Sequence, residues 1–238
     1  MTEKPNEIAS TEDFEFAALE KAENYRAALL QEFAPHLRGD VIEIGAGIGQ
    51  FTDKLNSLPA IRRLVCLEPD AGFCGKFRQL HPGQPLIQGT IDDVEAGTQW
   101  DGIVSVNVLE HIREDEGELV KYARRLSPKH GVLCLFVPAR PEIYAPIDKD
   151  FGHFRRYVRR ELQTKLQRAG FDLVRINYFN WIGYFAWWLN FCLLKKRRFD
   201  VGSVVAFDRF IFPVVHRSER LLCRPPFGQS LLAIARSR

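Results

Sequence analysis

Five short apolar segments divide the first 138 residues into alternating strand-like and helix-like parts. The apolar segments are VIEIG, LVCLE, PLIQG, GIVSV and VLCLFV, at residues 41–45, 64–68, 85–89, 102–106 and 132–137. Helix-forming composition lies ahead of them at 12–36 and between them at 49–57, 71–80 and 114–126. Runs this short and apolar are typical of parallel strands that are buried on both faces and connected by helices. The pattern therefore predicts a doubly wound α/β sheet.

This alternation stops after Pro138, and the rest of the chain is predicted to be organised differently. We expect a loop at 139–157, a helix at 158–169, a strand at 171–179, a helical subdomain at 181–228 and a last strand at 230–238. An antiparallel hairpin at the edge of the sheet is one way for the last strand to join it. The predicted domains are therefore a sheet domain, 1–180 with 229–238, and a helical, aromatic-rich insertion or lid at 181–228.

The composition indicates a globular protein of a reducing compartment. A chain of 238 residues can bury a core without disulfide or metal cross-links. Its five cysteines are an odd number and form no CxxC pair, which argues against a disulfide framework or a thiolate zinc site. The first 21 residues are acidic and contain no apolar segment, so we expect no secretory signal and a cytoplasmic location.

Charge and aromatic residues are distributed unevenly along the chain. Residues 1–138 carry 14 Lys and Arg against 22 Asp and Glu, whereas residues 139–238 carry 19 against 8. The second part also contains 18 of the 28 aromatic residues. We therefore expect the second part to bind a ligand that is anionic, apolar or both.

The segment VIEIGAGIGQFT at 41–52 constrains the ligand most closely. Its glycines at 45, 47 and 49 would let the backbone approach a ligand, although they would also suit a tight strand–helix turn without a ligand. An acid, Glu68, ends the next strand, where a carboxylate can accept both ribose hydroxyls of a nucleoside. The spacing is GxGxG rather than the GxGxxG of dinucleotide sites, and Glu43 would repel a pyrophosphate. These features favour S-adenosylmethionine over a nicotinamide cofactor.

The motifs VIEIGAGIGQFT, LVCLEPD, LIQGTIDDV and GIVSVNVLEHI, taken in order, resemble those of class I S-adenosylmethionine-dependent methyltransferases. The resemblance covers about residues 20–180. It implies a Rossmann-like sheet of about seven strands, here with a helical insertion near the C-terminus, and S-adenosylhomocysteine as the product of the cofactor.

The resemblance also assigns roles to individual residues. The methionine end of the cofactor would lie against Glu43, Gly45, Ala46, Gly47, Gly49 and Asn107. Glu68 would hold the ribose, Pro69 would pack on the adenine, and Thr90 and Ile91 would contact its edge. Asn24 and Tyr25 resemble a lid over the cofactor.

The segment VPARPEIYAPIDKDFGHFRRYVRREL at 137–162 resembles a bacterial methyltransferase subfamily with a Gly-His-x-Arg-Arg-Tyr motif after strand five. This subfamily has no single settled acceptor, so the resemblance does not identify the substrate. The loop would lie at the carboxyl end of the sheet, where ligands bind. The candidate catalytic residues are His153, Tyr157 and His111, and the candidate acceptor-binding residues are Tyr144, Arg155, Arg156 and Trp181.

Each of these candidates also has a structural interpretation. His153 would act on a hydroxyl or amine of the acceptor, or it would cap a turn. Arg155 and Arg156 would clamp a carboxylate or phosphate of the acceptor, or they would pair with Asp148 or Asp150. His111 would more simply bind a backbone group at a helix start. Methyl transfer from a sulfonium can proceed largely by alignment, so a general base is not required.

Residues 176–194 contain no charged side chain and are followed at once by Lys195, Lys196, Arg197 and Arg198. Three asparagines and Gly183 within this segment argue against a membrane-spanning helix. The segment is predicted either to be a buried lid or to be an interfacial helix that contacts the inner membrane peripherally through 178–198. The basic, aromatic end contains no recognised nucleic-acid module, so no nucleic-acid partner is expected, and no feature sets an oligomeric state.

These observations predict methyl transfer from S-adenosylmethionine to a small-molecule or lipid-like acceptor with an anionic group and an apolar body. The alternatives are a non-catalytic S-adenosylmethionine sensor or scaffold and, among enzymes, a nicotinamide-dependent reductase. No HExxH or paired-cysteine spacing is present, so no metal site is predicted.

Overall fold

Seven strands pair into one sheet in the computed structural model, which describes residues 21–128, 130–221 and 225–238. They are β1 (Gly39–Ile44), β2 (Ile61–Glu68), β3 (Leu86–Gln88), β4 (Gly102–Val106), β5 (Val132–Pro138), β6 (Phe171–Phe179) and β7 (Ser230–Ser237). Their order across the sheet is β3-β2-β1-β4-β5-β7-β6. Strands β1 to β5 are parallel, and β7 is antiparallel to both β5 and β6. The predicted seven-stranded α/β sheet, with an antiparallel pair at its edge, is confirmed.

Helices connect the strands of the sheet. They are α1 (Glu23–Phe33), α2 (Thr52–Asn56), α3 (Ala71–Leu80), α4 (Asp115–Arg125), α5 (Pro146–Asp150) and α6 (Arg159–Arg168). Helix α3 begins at Ala71 because the Asp70 carboxylate accepts a hydrogen bond from the backbone N–H of Phe73. Within the helix predicted at 12–36, α1 is the main described element, while residues 12–20 lie outside the described residues, as does most of the acidic N-terminal stretch.

Both faces of the sheet are covered, which explains why its strands have few polar residues. One apolar cluster contains Ile42, Leu133 and Leu135, and a second contains Val41 and Cys134. Successive residues of β5 thus alternate between two cores, and all seven residues of that strand are buried. The described cysteines, Cys66, Cys74, Cys134 and Cys192, have free thiols, and Cys223 lies outside the described residues.

The segment after β5 is more ordered than its sequence predicts. A loop is expected at 139–157, but this segment contains a 3₁₀ turn at Pro141–Ile143 and the helix α5. Pro146 occupies the first turn of α5, where its missing N–H costs nothing. The carboxylate of Asp148 accepts a hydrogen bond from the backbone N–H of Ala145 at 2.8 Å and closes the start of the helix. Regular structure thus occupies Pro141–Ile143 and Pro146–Asp150 in a segment that the sequence predicts to be a loop throughout.

Helical residues lie between β6 and β7, as the sequence predicts, whereas the division of the chain into domains stays a prediction. They form α7 (Trp181–Trp187), a π-helical continuation at Trp188–Leu193, α8 (Val201–Ala206), a π-helical segment at Phe207–Ile211 and α9 (Phe212–Leu221). The Asn180 side chain caps α7 by accepting a hydrogen bond from Gly183. Among the described residues, no helix is long and apolar enough to cross a membrane.

Candidate active site

The glycine-rich turn after β1 has a backbone that favours glycine at three alternate positions. Gly45, Gly47 and Gly49 have φ angles of 71°, 57° and 95°, in the left-handed region. A Cβ at Gly45 would lie 2.4 Å from the Val108 side chain, and one at Gly49 would lie 2.1 Å from His81 Nε2. The left-handed backbone at all three positions, and the lack of room for a Cβ at Gly45 and Gly49, explain why glycine occurs at alternate positions of this turn.

Glu68 lies at the end of β2, beside this turn. One oxygen of its buried carboxylate accepts a hydrogen bond from the Gly47 N–H at 2.8 Å, and the other accepts one from the Asp70 N–H at 2.9 Å. The turn after β1 and the end of β2 therefore form a single hydrogen-bonded unit. A carboxylate placed there suits the ribose role that was predicted for Glu68.

Glu43 is a second buried carboxylate on the same edge of the sheet. The Thr52 hydroxyl donates a hydrogen bond of 2.6 Å to Glu43 Oε2. Burial raises the pKa of Glu43 to about 7, although this hydrogen bond acts in the opposite direction. An ammonium group would compensate for the desolvation of this carboxylate, so the donor set fits the amino group of an S-adenosyl ligand.

The other residues predicted at the cofactor have varied environments. Ala46 is buried, Pro69 is exposed, and Asn107 follows β4 with a φ of 53°. The Thr90 hydroxyl closes a capping box with Asp93, and the side chain of Ile91 lies in the core. Their roles at the cofactor stay predictions.

Tyr25 and Asn24 start the helix α1 and contact the helical insertion. The Asp208 carboxylate accepts hydrogen bonds from both of their backbone N–H groups at 2.9 Å. The Tyr25 ring packs on Phe136, Phe179 and Phe212, and burial raises the pKa of its hydroxyl above the ordinary value. A tyrosine at the predicted lid position is therefore fixed by residues from the other end of the chain.

A cavity of about 290 Å³ lies between the carboxyl edge of the sheet and the helical insertion. Tyr25 and Asn107 line it on the side of the predicted cofactor residues. Its other walls include Phe151, His153 and Arg156 after β5, and Trp187, Phe191 and Phe207 from the insertion. One space thus borders two of the predicted cofactor residues and, after β5, His153 and Arg156.

Asp148, His153 and Arg156 form a buried hydrogen-bonded group in the wall of this cavity. His153 Nδ1 and the Arg156 Nε–H lie 3.0 Å and 2.8 Å from Asp148 Oδ1. The Arg156 guanidinium also lies 4.2 Å from the centre of the Trp187 ring. Arg156 is therefore the arginine that pairs with Asp148. It also borders the cavity, so it is in a position to contact an acceptor.

Four other candidates have side chains engaged elsewhere and do not line the cavity. The Tyr157 hydroxyl donates to Asp115 Oδ2 at 2.9 Å, and Arg155 pairs with the same carboxylate at 2.7 Å. The Tyr144 hydroxyl donates to the backbone oxygen of His153, and the Trp181 indole N–H donates to Ser218. Arg155 is thus held in an ion pair, although with Asp115 rather than with Asp148 or Asp150, and the roles of all four as site residues stay predictions.

His111 lies next to His153, with their ring centres 4.7 Å apart at an interplanar angle of 84°. The neighbouring Glu110 is fully buried and borders the cavity. Sequence reasoning missed Glu110, Asp208 and Ser230 as site residues. Glu110 stands in the motif NVLEHI and could have been found there, whereas neither Asp208 nor Ser230 belongs to a motif used to identify the cofactor residues.

The comparisons with known proteins agree with this architecture. The sequence matches the family described as a methyltransferase domain over residues 18–176. No curated protein matches the chain at a significant level.

Several solved structures share the fold. A candidate methyltransferase of Bacillus halodurans aligns with a TM-score of 0.60 at 18% identity, over 88% of this chain and 97% of that chain. An S-adenosylmethionine-dependent methyltransferase of Mesorhizobium loti gives 0.58 at 16% identity, over 87% and 95%. The N-methyltransferase NodS of Bradyrhizobium japonicum, solved with S-adenosyl-L-homocysteine, gives 0.56 at 16% identity, over 91% and 87%. The family match covers more than half of the sequence, and the chain therefore belongs to the methyltransferase domain family.

Proposed function

We propose that the protein transfers a methyl group from S-adenosylmethionine to an acceptor that has an apolar body and an anionic group. The observation that carries the proposal is the single cavity that joins Tyr25 and Asn107 to the aromatic wall of the insertion. The sulfonium of the cofactor supplies an activated methyl group when it is bound. The protein's contribution is then to align the acceptor and to exclude water.

The carboxylates and the glycine-rich turn support the choice of cofactor. Glu43 and Glu68 lie at the ends of neighbouring strands, and the glycines of the turn after β1 would let the backbone approach a ligand there. Two carboxylates suit the amino group and the ribose hydroxyls of an S-adenosyl ligand better than they suit a pyrophosphate.

The walls of the cavity support the choice of acceptor. Aromatic rings from Phe151, Trp187, Phe191 and Phe207 offer an apolar surface, and burying apolar area contributes about 25 cal/mol per Å². Arg156 retains N–H groups beyond those bonded to Asp148 and Ala139, and Lys196 and Arg198 also border the cavity. Glu110, Asp200 and Asp208 line the same cavity, so the proposal places the anionic group of the acceptor beside these cations and away from the three carboxylates.

The outer face of α7 and its π-helical continuation supports a lipid-like acceptor. Gly183, Trp187 and Phe191 face inward and are buried, whereas Phe185, Trp188, Leu189 and Leu193 are exposed. We call these four exposed residues the outer stripe. Leu194 and then the exposed side chains of Lys195 to Arg198 follow it, and Arg197 pairs with Asp150. An apolar stripe beside cations suits the surface of an anionic membrane, from which a lipid-like acceptor would reach the cavity.

The function is tested with S-adenosylmethionine that carries a labelled methyl group. The purified protein is incubated with a total lipid extract and, separately, with a water-soluble extract of bacterial cells. We expect label in products that partition into organic solvent. Label confined to polar products would contradict the lipid-like acceptor, and binding of S-adenosylhomocysteine without transfer to either extract would favour the sensor alternative.

A further inference from the structure

We propose that Glu110, His111 and His153 bind a divalent transition-metal ion at the cavity, and that this ion holds an oxygen atom of the methyl acceptor. Each residue offers one ligand atom, and these atoms all lie within 4.8 Å of one another. The role assigned to the acceptor oxygen rests on the proposed methyl transfer, whereas the metal site itself does not.

The separations are close to those of a formed site. Metal–nitrogen and metal–oxygen bonds of about 2.0–2.2 Å place the ligand atoms of a tetrahedral ion about 3.4 Å apart. His153 Nε2 lies 4.0 Å from Glu110 Oε1 in this structure. Side-chain rotations that move these atoms by about 1 Å would thus complete the site.

Asp148 holds His153 in the orientation that a metal ligand needs. Its carboxylate lies 3.0 Å from Nδ1, so a neutral ring protonated there leaves the lone pair on Nε2, which lies 4.0 Å from Glu110 Oε1. Metal-bound histidines usually donate their other N–H to a carboxylate or a backbone carbonyl. The His111 ring has the second type of support, a hydrogen bond with the backbone of Phe151.

The Nε2 atom of His153 is the observation that points to a ligand. His153 is 92% buried, since only 8% of its surface is exposed, and Nε2 has no hydrogen-bond partner among the described residues. A buried ring nitrogen without a partner is unfavourable unless a ligand or a water satisfies it. It faces Glu110 and borders the cavity, where such a ligand would bind.

The local charges also suit a cation. The carboxylate of Asp148 is paired with the Arg156 guanidinium, while Glu110 contributes a second, fully buried carboxylate on the other side of His153. Arg156 also interacts electrostatically with Glu110, and a divalent ion bound between Glu110 and His153 would add to the positive charge that stabilises this buried carboxylate.

Two imidazoles and one carboxylate are a donor set that identifies the class of ion. Such sets hold catalytic zinc and non-haem iron(II) and leave coordination positions open for substrate. Here the open positions would face the cavity and accept a hydroxyl or enol oxygen of the acceptor. Binding to the ion would favour loss of the O–H proton to water and leave a nucleophilic oxygen. This predicts an oxygen acceptor.

Cobalt(II) is a direct probe of the site, because histidine ligation gives it visible absorption bands. The full-length protein is stripped with a chelator, titrated with Co²⁺, and then titrated with Zn²⁺ as a competitor. We expect one equivalent of bound Co²⁺ that Zn²⁺ displaces. Asp148→Asn should weaken binding about 10–100-fold, as is typical for residues that support a metal ligand, and His153→Ala and Glu110→Gln should weaken it at least as much.

His130→Ala is the matched control, because His130 is exposed and outside the cluster. It should bind Co²⁺ like the unmodified protein, and thermal melting identifies any variant that fails to fold. Co²⁺ binding that is absent from the unmodified protein, or unchanged in folded His153→Ala and Glu110→Gln, would overturn the metal site. Calorimetry with S-adenosylhomocysteine on the same samples separates the proposals, since loss of that binding alone would contradict the proposed function and leave the metal site standing.

Discussion

The carboxylate of Glu68 accepts a hydrogen bond from the backbone N–H of Gly47 at 2.8 Å, and this bond joins the end of β2 to the turn after β1. The two residues are adjacent because β1 and β2 are parallel neighbours whose carboxyl ends meet at one edge of the sheet. The same carboxylate also accepts a hydrogen bond from Asp70, so its orientation is fixed before any ligand binds. A preoriented carboxylate loses little entropy on binding a ribose diol.

The first prediction concerns the contribution of Glu68 to cofactor binding. Glu68→Ala removes charge-assisted hydrogen bonds worth about 1.5–3 kcal/mol. The affinity for S-adenosylhomocysteine, measured by calorimetry, should fall about tenfold or more. Glu114→Ala, at an exposed glutamate, is the control and should bind normally. Unchanged affinity in folded Glu68→Ala would show that the ribose is held elsewhere.

The second prediction is a pH dependence that arises from Glu43. Its pKa is raised to about 7 by burial, above the ordinary value of 4.5. The unfolded chain therefore ionises first, so this group's contribution to stability is greatest below about pH 4.5 and is lost as the pH rises through 7. A ligand ammonium group prefers the ionised form, so the affinity for S-adenosylhomocysteine should rise toward pH 7 by up to about tenfold per pH unit, then level off.

Glu43→Gln provides the control for this pH dependence. Its side chain has nearly the same shape but cannot ionise, so affinity should be lower above pH 7 and nearly constant from pH 5.5 to 8. Calorimetry across this range gives both profiles. An equally steep rise in Glu43→Gln would assign the titration to another group.

The third prediction compares two glycines by substitution to alanine. Gly49 has a φ of 95°, and an added Cβ would approach His81, so Gly49→Ala should lower the free energy of unfolding by about 1–3 kcal/mol. Gly75 lies within α3, where an added Cβ meets no atom within 4 Å. Gly75→Ala should therefore raise that free energy by about 0.5–1 kcal/mol. Denaturant unfolding measures both, and equal effects would contradict the strained-turn interpretation.

The strands and the cofactor edge could be predicted because they depend on local sequence. The apolar runs that contain Val41 and Leu133 predict buried parallel strands. The glycines of the turn after β1 predict backbone conformations that other residues rarely adopt. The anchoring of α1 could not be predicted in this way. Asp208 bonds to Asn24 and Tyr25 across more than 180 residues, and nothing near Asp208 in the sequence indicates this contact.

The site after β5 shows the same limit of local reasoning. The sequence identifies His153, Arg155 and Arg156 as candidates, but it leaves open whether the arginines bind the acceptor or pair with Asp148 or Asp150. The packing of Arg156 on Trp187 and of Arg155 against Asp115 decides this, and both contacts join distant segments. Glu110 enters the cluster only because the 3₁₀ turn Leu109–His111 lies beside the segment after β5, where the Glu110 carbonyl accepts a hydrogen bond from Phe154.

The last prediction concerns the outer stripe. Trp188, Leu189 and Leu193 are 45%, 45% and 57% exposed, and cations near an anionic bilayer contribute about 1 kcal/mol each. The protein should sediment with vesicles containing phosphatidylglycerol and far less with phosphatidylcholine vesicles, and added salt should release it.

The combined variant Trp188→Ser, Leu189→Ser and Leu193→Ser should lose this binding because it removes the apolar contact. Leu80→Ser, at an exposed leucine of α3 outside the insertion, should bind as before. Vesicle binding that survives in the triple variant would exclude the outer stripe as the membrane contact. Loss of vesicle binding with unchanged cofactor affinity would show that the outer stripe binds the membrane and takes no part in cofactor binding.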